Sequence, residues 1–300
     1  MSIKIDSGNF VSDNQKRCGF VAVLGETNAG KSTLVNKLVG QKVSIVSRKV
    51  QTTLSRILGI AISGNSQIIL IDTPGFVSDH KSSSRGESAD RASVLEKTAW
   101  DAFRETDDIL FVVDVHKKDF EKSIALLQKI DESKKISLVL NKVDLIIKEK
   151  LLEIASEFSK IRDFENIFMI SSLNGDGVKD IEKYLAKIVP EGEWLFPEDE
   201  VTDSSFEKFT SEITREHLYH RIHQEIPYRC RVVTENYRNE SDGSVRIAQN
   251  IFVKSKAHKL ILLGHKGSKI RAVGSASRRE LSELLGREVH LFLNVVVEKR

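Results

Sequence analysis

The chain has 300 residues, with 46 Lys and Arg against 43 Asp and Glu, 40% hydrophobic residues and two cysteines. At about 150 residues per domain this suggests two domains, and the composition excludes extensive disorder and a disulfide scaffold, with Cys18 and Cys230 expected as free thiols of a reducing compartment. No apolar run approaches the ~20 residues that span a bilayer, and Met1 to Lys16 lack a signal-peptide core, so a cytoplasmic protein is expected.

Taken in order, the first half alternates apolar runs with amphipathic stretches. Gly19–Leu24, Ile68–Ile71, Ile109–Val113, Ile136–Leu140 and Ile167–Ile170 read as buried strands. Helix-like segments fall at Lys31–Val39, Val94–Phe103, Glu121–Ile130, Glu149–Phe158 and Val178–Ile188. This alternation predicts an α/β fold with a mainly parallel sheet covered on both faces. Ser78–Ala92 is polar and aperiodic, a candidate mobile loop. Pro190–Asp203 holds two of the four prolines and reads as a linker. Beyond it a helix (Ser205–Ile222) precedes two strands (Tyr228–Tyr237 and Ser244–Lys254). Two short helices around Gly264–Gly267 and a last strand, Val289–Val297, follow. The expected units are an N-terminal extension (1–17), a nucleotide-binding domain (18–190), a linker (191–204) and an α+β domain (205–300).

The first strand runs into Gly25-Glu26-Thr27-Asn28-Ala29-Gly30-Lys31-Ser32, a G-x-x-x-x-G-K-[ST] loop opening a helix. Glycines let the backbone N–H groups face phosphate oxygens, and the helix adds its positive end. Lys31 would reach the β- and γ-phosphates, and the Ser32 hydroxyl would ligate Mg²⁺. Asp72-Thr73-Pro74-Gly75 follows a strand, so Asp72 can hold Mg²⁺ through water and the Gly75 N–H can approach the γ-phosphate. Asn141-Lys142-Val143-Asp144 selects the base. Asp144 can accept from the N1–H and N2–H₂ edge of guanine, a donor pair that adenine lacks. Asn141 would bind the N7 side of the base or tie loops together, and the Lys142 stem would lie over the ring. Ser171-Ser172-Leu173 offers backbone N–H groups to guanine O6. Within Gln51-Thr52-Thr53 a threonine, Thr53 in preference to Thr52, would complete the Mg²⁺ shell when a γ-phosphate is present, making the segment a switch.

These motifs together read as a P-loop GTPase of the Ras-like class rather than a kinase or ATPase. Phe76 stands where Ras-type switches place a water-orienting Gln, so slow intrinsic hydrolysis is expected. Asn28 is a candidate ligand for K⁺, which would add positive charge between the phosphates.

Charge divides the chain. From Ser205 to Arg300 there are 18 Lys/Arg and 11 Asp/Glu, and Gly243–Arg279 holds nine basic residues and no acidic one. That asymmetry suggests a polyanion partner. Within it Gly264-His265-Lys266-Gly267 is a Gly-x-x-Gly loop followed by a helix carrying Lys269 and Arg271. Such a loop clamps a single-stranded nucleic-acid backbone in KH folds, and the helix–strand–strand–helix–helix–strand order matches the type II arrangement.

On these residues the chain resembles the bacterial Era family, a GTPase domain followed by a KH domain. The similarity runs from about Cys18 to Val297. Its most specific pieces are Lys42–Thr53, Asp72–Gly75, Pro190-Glu191-Gly192 with Phe196-Pro197-Glu198-Asp199, Ile226-Pro227-Tyr228 and the Gly264–Gly267 loop. The resemblance implies a ribosome-assembly factor that binds the 3′ end of small-subunit ribosomal RNA under nucleotide control, with no DNA partner. It also implies loose association with the inner face of the cytoplasmic membrane. The expected coupling has GTP order Thr52, Thr53 and the 75–92 loop, reposition the linker and expose the basic KH face. The sequence departs from the family at Glu26-Thr27 and Ala29, usually Arg-Pro and Val, which would place an acidic side chain near the phosphates and weaken nucleotide binding. Leu54 replaces a common Arg, and the resemblance stops short of the Trp-containing tail that family members usually carry.

Overall fold

The computed structural model describes residues 15–46, 57–73, 106–222 and 230–298. The expectations at Gln51, Thr52, Thr53, Leu54, Pro74, Gly75, Phe76, the 78–92 loop, the 94–103 helix and Ile226–Tyr228 lie outside these residues.

In the first half, β1 (Arg17–Gly25) leads to α1 (Lys31–Val39), then a hairpin of β2 (Ile57–Ser63) and β3 (Ser66–Asp72). After these come β4 (Asp108–Asp114), α2 (Glu121–Leu127), β5 (Ile136–Asn141), α3 (Lys148–Ser159), β6 (Asn166–Ile170) and α4 (Val178–Ile188). The sheet order is β2-β3-β1-β4-β5-β6. Only the β2–β3 pair is antiparallel. Every residue of β3, β4 and β5 is buried, as expected for strands covered on both faces. One core, with Leu34, Val35, Ile181 and Leu185, covers one face, and another, with Leu127, Ile154 and Phe158, covers the other. β1 is the point at which the strand order reverses, so the crevice above its C-terminal end is where an open α/β sheet binds ligands.

The sequence reading did not anticipate β2. Its Gly59 hides it, and packing explains the glycine. A Cβ there would lie 2.8 Å from Val35 Cγ1 and 2.9 Å from Val39 Cγ2 of α1.

In the second half, α5 (Phe206–Arg221), β7 (Cys230–Asn239), β8 (Val245–Val253), α6 (Lys256–Leu263), α7 (Ser268–Leu285) and β9 (Val289–Val297) build a three-stranded sheet with helices. β7 and β8 are antiparallel, and β8 and β9 parallel, which is the type II KH topology. β7 carries a bulge between Thr234 and Asn236. The helix after the Gly-x-x-Gly loop is not short. It runs 18 residues and accommodates Gly274, whose added Cβ would lie 3.3 Å from Leu293 Cδ1 of β9.

Among the described residues, two connections join the halves. Residues 190–203 lie along the first sheet instead of spanning open solvent. Trp194 and Phe196 pack on Cys18, Leu58, Ile69 and Ile71, and Gln67 accepts from the Leu195 and Phe196 N–H groups. Ile60 N–H donates to Val201 O at 2.9 Å, so this segment continues the sheet beyond β2. The second connection is Lys42–Val46. Ile45 is buried among Ile213, Val245, Ile247, Leu281 and Val289 of the KH unit, a burial worth about 1.5–3 kcal/mol. Lys42 pairs with Glu216 and Glu280.

Candidate functional site

Glycines shape the loop over residues 25–32, at backbone angles that L side chains rarely adopt. At Gly25 (φ 146) a Cβ would lie 2.2 Å from Val112 O, and at Gly30 (φ 99) it would lie 2.1 Å from Asn141 Nδ2. α1 begins at Gly30 with no side-chain cap and no acidic residue in its first turn, leaving its first N–H groups for an anion. Lys31 Nζ is buried and donates to Gly25 O at 3.0 Å and Glu26 O at 2.8 Å. Burial lowers the Lys31 ammonium from 10.5 to about 8, against the pull of Asp72 and Glu26.

Asp72, at the end of β3, is fully buried. Ser32 Oγ donates to its Oδ2 at 2.6 Å, while Oδ1 has no hydrogen-bond partner among the described residues. Burial pushes the Asp72 carboxyl up, partly offset by the Ser32 and Ser44 hydroxyls and by Lys31. A buried, bare carboxylate oxygen beside a serine hydroxyl is a donor set that suits a hydrated Mg²⁺ ion. Thr73 Oγ1 donates to Val23 O, locking the strand end to β1.

The base side converges on the same edge. Asn141 ties loops together. Its Nδ2 donates to Ala29 O at 2.7 Å, and its Oδ1 accepts from Ser172 N at 2.9 Å. Of the two roles the sequence left open, this is the one its contacts serve. Lys142, at φ 70, donates from Nζ to Asn28 O at 2.9 Å and pairs with Asp114. Asn28 is exposed, at φ 63. Val143 opens a short 3-10 turn that carries Asp144, whose carboxylate is exposed. Ser171 N–H donates to Asp176 O and Ser172 N–H to Asn141, so two of the three expected donors to guanine O6 are already engaged. Leu173, 75% exposed, presents the remaining N–H.

In the second unit, Gly264 (φ 70, ψ −177), Lys266 (φ 48) and Gly267 (φ 75) all have positive φ. A Cβ on Gly264 would lie 2.7 Å from Lys269 Cγ. α7 starts at this loop with no side-chain cap and no acidic residue in its first turn. His265, Lys266, Lys269 and Arg271 are exposed around it. Leu260 and Ile261, on the helix before the loop, are 69% and 38% exposed.

With this geometry in place, comparison with known proteins is decisive. The family described as 50S ribosome-binding GTPase matches residues 20–142, and the KH domain family matches residues 225–300. GTPase Era of Brucella suis biovar 1 is 47% identical over 98% of this chain and 92% of its own length. GTPase Era of Rhizobium meliloti is 46% identical over 94% and 88%. The chain belongs to the Era family of GTPases. A crystal structure of Era in complex with MgGDPNP and nucleotides 1506–1542 of 16S ribosomal RNA superposes on it with a TM-score of 0.85, at 33% identity over 94% of each chain. A structure of an Aquifex aeolicus Era variant bound to GDP·AlF₄⁻ gives a TM-score of 0.85 at 32% identity.

One sequence expectation for this Era-family chain is corrected. Glu26 does not set a free acid beside the phosphates. Its carboxylate is buried, paired with Lys117 and hydrogen-bonded by Ser123. The charge is neutralised by Lys117 while still acting on the Lys31 ammonium, and these contacts anchor the loop to Lys117 and to Ser123 of α2.

Motif reading also missed Ser44, whose hydroxyl donates to Asp72 Oδ2 at 2.6 Å, and Asn36, which holds the backbone of Ser44. Asn36 belongs to no motif, and Ser44, though inside the Lys42–Thr53 segment of the family resemblance, has no role assigned by it. The one available signal was Asn36 lying one turn after Ser32 on α1, which puts both on one helix face.

Proposed function

We propose that this chain binds GTP with Mg²⁺, hydrolyses it slowly to GDP and phosphate, and uses its KH loop to hold the 3′ end of small-subunit ribosomal RNA during subunit assembly. The observation that carries the reading is one edge of one sheet. The cradle, Asp72, Asn141 with Asp144, and Leu173 meet there, in a chain that also presents an uncapped Gly-x-x-Gly helix. A relative of the same fold carries both a GTP analogue with Mg²⁺ and the 16S RNA segment, which supports both halves of the reading.

In this reading Gly25 to Ser32 wrap the phosphates and Lys31 leaves its two loop carbonyls to pair with them. Ser32 and Asp72 hold the Mg²⁺, which supplies positive charge to the reacting phosphate oxygens. Asp144 accepts the two guanine donors. Asn141 keeps the cradle and the Leu173 loop in register, and the Leu173 N–H faces O6. Thr53 completes the metal shell. A K⁺ ion on Asn28 adds charge between the phosphates. Turnover is then faster in K⁺ than in Na⁺, and Asn28→Ala removes the difference. In the KH unit, Gly264 and Gly267 let an RNA backbone close on the loop while His265, Lys266, Lys269 and Arg271 neutralise it. Among the described residues no helix is long and apolar enough to cross a membrane. Peripheral contact with a cytoplasmic membrane enters on the family resemblance alone, and sedimentation with anionic vesicles tests it.

The deciding experiment measures binding of an oligonucleotide matching the 3′ end of small-subunit ribosomal RNA, with a non-hydrolysable GTP analogue and with GDP. Tighter binding with the analogue, lost in Gly267→Asp, is expected. Equal binding in both nucleotide states would sink the coupling and leave a constitutive RNA binder.

A further inference from the structure

Asp72 receives two hydroxyl donors, and both use the same oxygen. Ser32 Oγ and Ser44 Oγ each lie 2.6 Å from Oδ2. Oδ1, on the same buried carboxylate, has no hydrogen-bond partner among the described residues. Two donors on one oxygen fix the rotation of the carboxylate. They leave the other oxygen as the acceptor for a metal ion or its water, and a buried acceptor of that kind is costly unless it is used.

Ser44 is itself held from two sides. From α1, Asn36 Oδ1 accepts from the Val43 and Ser44 N–H groups at 2.9 Å each, and Asn36 Nδ2 donates to Ser44 O at 2.7 Å. The KH unit grips the residues around it. Lys42 lies between Glu216 of α5 and Glu280 of α7. Val46 N–H donates to Glu216 Oε1 at 3.0 Å. Ile45 is 2% exposed, inside the KH apolar cluster. His217 Nε2, 2.7 Å from Glu280 Oε2, steadies the far carboxylate. α7 is the same helix that begins at the Gly-x-x-Gly loop.

We infer that Ser44 is a positioning residue for the Asp72 metal site, and that docking of Lys42–Val46 on the KH unit keeps it in place. The inference rests on the Mg²⁺–GTP reading above. Linkage makes the effect reciprocal: metal at Asp72 favours the docked strap by the same factor as docking favours the metal. The two carboxylates that hold Lys42 therefore act on a metal site they do not touch.

The test follows release of a fluorescent GDP from the whole chain as free Mg²⁺ is varied. Ser44→Ala is expected to raise the Mg²⁺ midpoint about tenfold, the cost of one charge-assisted hydrogen bond, while GDP affinity in EDTA stays at the wild-type value. Glu216→Gln with Glu280→Gln is expected to raise the midpoint by a smaller factor, about threefold, and to add nothing in the Ser44→Ala background. Lys42→Met breaks the same contact from the other side and serves if the double variant does not fold. An unchanged midpoint in Ser44→Ala, an equal loss of GDP affinity in EDTA, or full additivity of the two changes would overturn the inference. A wild-type chain that binds no GDP, or binds it with no Mg²⁺ dependence, would overturn the Mg²⁺–GTP reading instead.

Discussion

The two candidate sites are both glycine loops that open a helix without a side-chain cap, yet they are finished in opposite ways. Around the phosphate cradle the neighbouring groups are buried and cross-linked. Asn141 spans two loops, Glu26 is paired with Lys117, and Asp72 is fully enclosed. Around the KH loop the side chains stand in solvent, and three positive-φ residues supply the shape. The first arrangement is rigid: Lys31 and Asp72 are buried and hydrogen-bonded to neighbouring elements, so a change there disturbs several contacts at once. The second grips a charged backbone with little regard to what hangs from it. Changes in the cradle should therefore abolish binding, and changes in the KH loop should grade it.

The largest expected effect is Gly30→Ala. The new Cβ would lie 2.1 Å from Asn141 Nδ2 at a backbone φ of 99. Strain of about 1–3 kcal/mol adds to the displaced Asn141 hydrogen bonds at about 1 kcal/mol each. GDP affinity should fall by roughly 10²–10⁴-fold, read by titration of a fluorescent GDP. Retained affinity would mean that the loop is softer than its contacts indicate.

Next comes Asp144→Asn. In the proposed pairing the change replaces two charge-assisted bonds to guanine, about 1.5–3 kcal/mol each, by a single neutral one of about 1 kcal/mol. GTP affinity should drop by roughly 10²–10³-fold and preference should move toward xanthosine nucleotides, whose C2 oxygen suits an amide donor. Competition between GTP, ATP and XTP measures it, and unchanged selectivity would remove Asp144 from base recognition.

How much of this was legible depends on whether a residue's role is local. Glycine punctuation marked α1 at both ends, with Gly30 and Gly40 each at positive φ, and its span agrees with the amphipathic stretch. α4, preceded by Gly177 at φ 72, was equally clear. β2 was hidden because Gly59 is chosen by the packing of α1, and α7 looked short because Gly274 is chosen by β9. α5 was visible as a helix but not as an interface. It buries Thr210, Ser211, Thr214, Arg215, Glu216 and His217, which polarity alone assigns to solvent. Some of these side chains are satisfied by partners distant in sequence, Thr234 for Thr210 and Ser211 and Lys42 for Glu216, while Arg215 is held within the helix by Glu212 and Tyr219. The site divides the same way. Residues whose chemistry needs a fixed spacing were legible, while Ser44, Asn36 and Lys117 serve it through contacts that spacing does not encode.

The KH loop should respond by degrees. Lys266→Ala with Lys269→Ala leaves both glycines and the helix start intact, so the grip should weaken but persist. Each lysine that faces a phosphate contributes about 0.7 to the slope of log affinity against log salt for a single strand. Losing two should flatten that slope by about 1.4 and reduce RNA affinity by roughly tenfold at low salt, with nucleotide binding unchanged. An unchanged slope would place the RNA elsewhere on the unit.

The smallest effect tests whether the cradle's burial has a cost that its ligand relieves. Burial lowers Lys31 from 10.5 to about 8 in the free protein. Phosphate oxygens beside it would raise that value again. Below pH 8 Lys31 is already charged, so nucleotide affinity should be flat with respect to this group. Above pH 8 binding must take up a proton, and affinity should fall by up to tenfold per pH unit until the pKa of the complex is reached. Folding of the free protein should move the other way. A lysine whose folded pKa is depressed disfavours folding while it is charged, and that cost is relieved as pH rises from about 8 toward 10.5. Calorimetry at pH 9 in buffers of different ionisation heat should therefore show uptake of close to one proton on GDP binding, and Lys31→Met should show none. Opposite pH trends in folding and in binding would identify Lys31 as the group that carries this cost. Parallel trends would assign it to another part of the cradle and leave the contrast with the exposed KH lysines without its electrostatic basis.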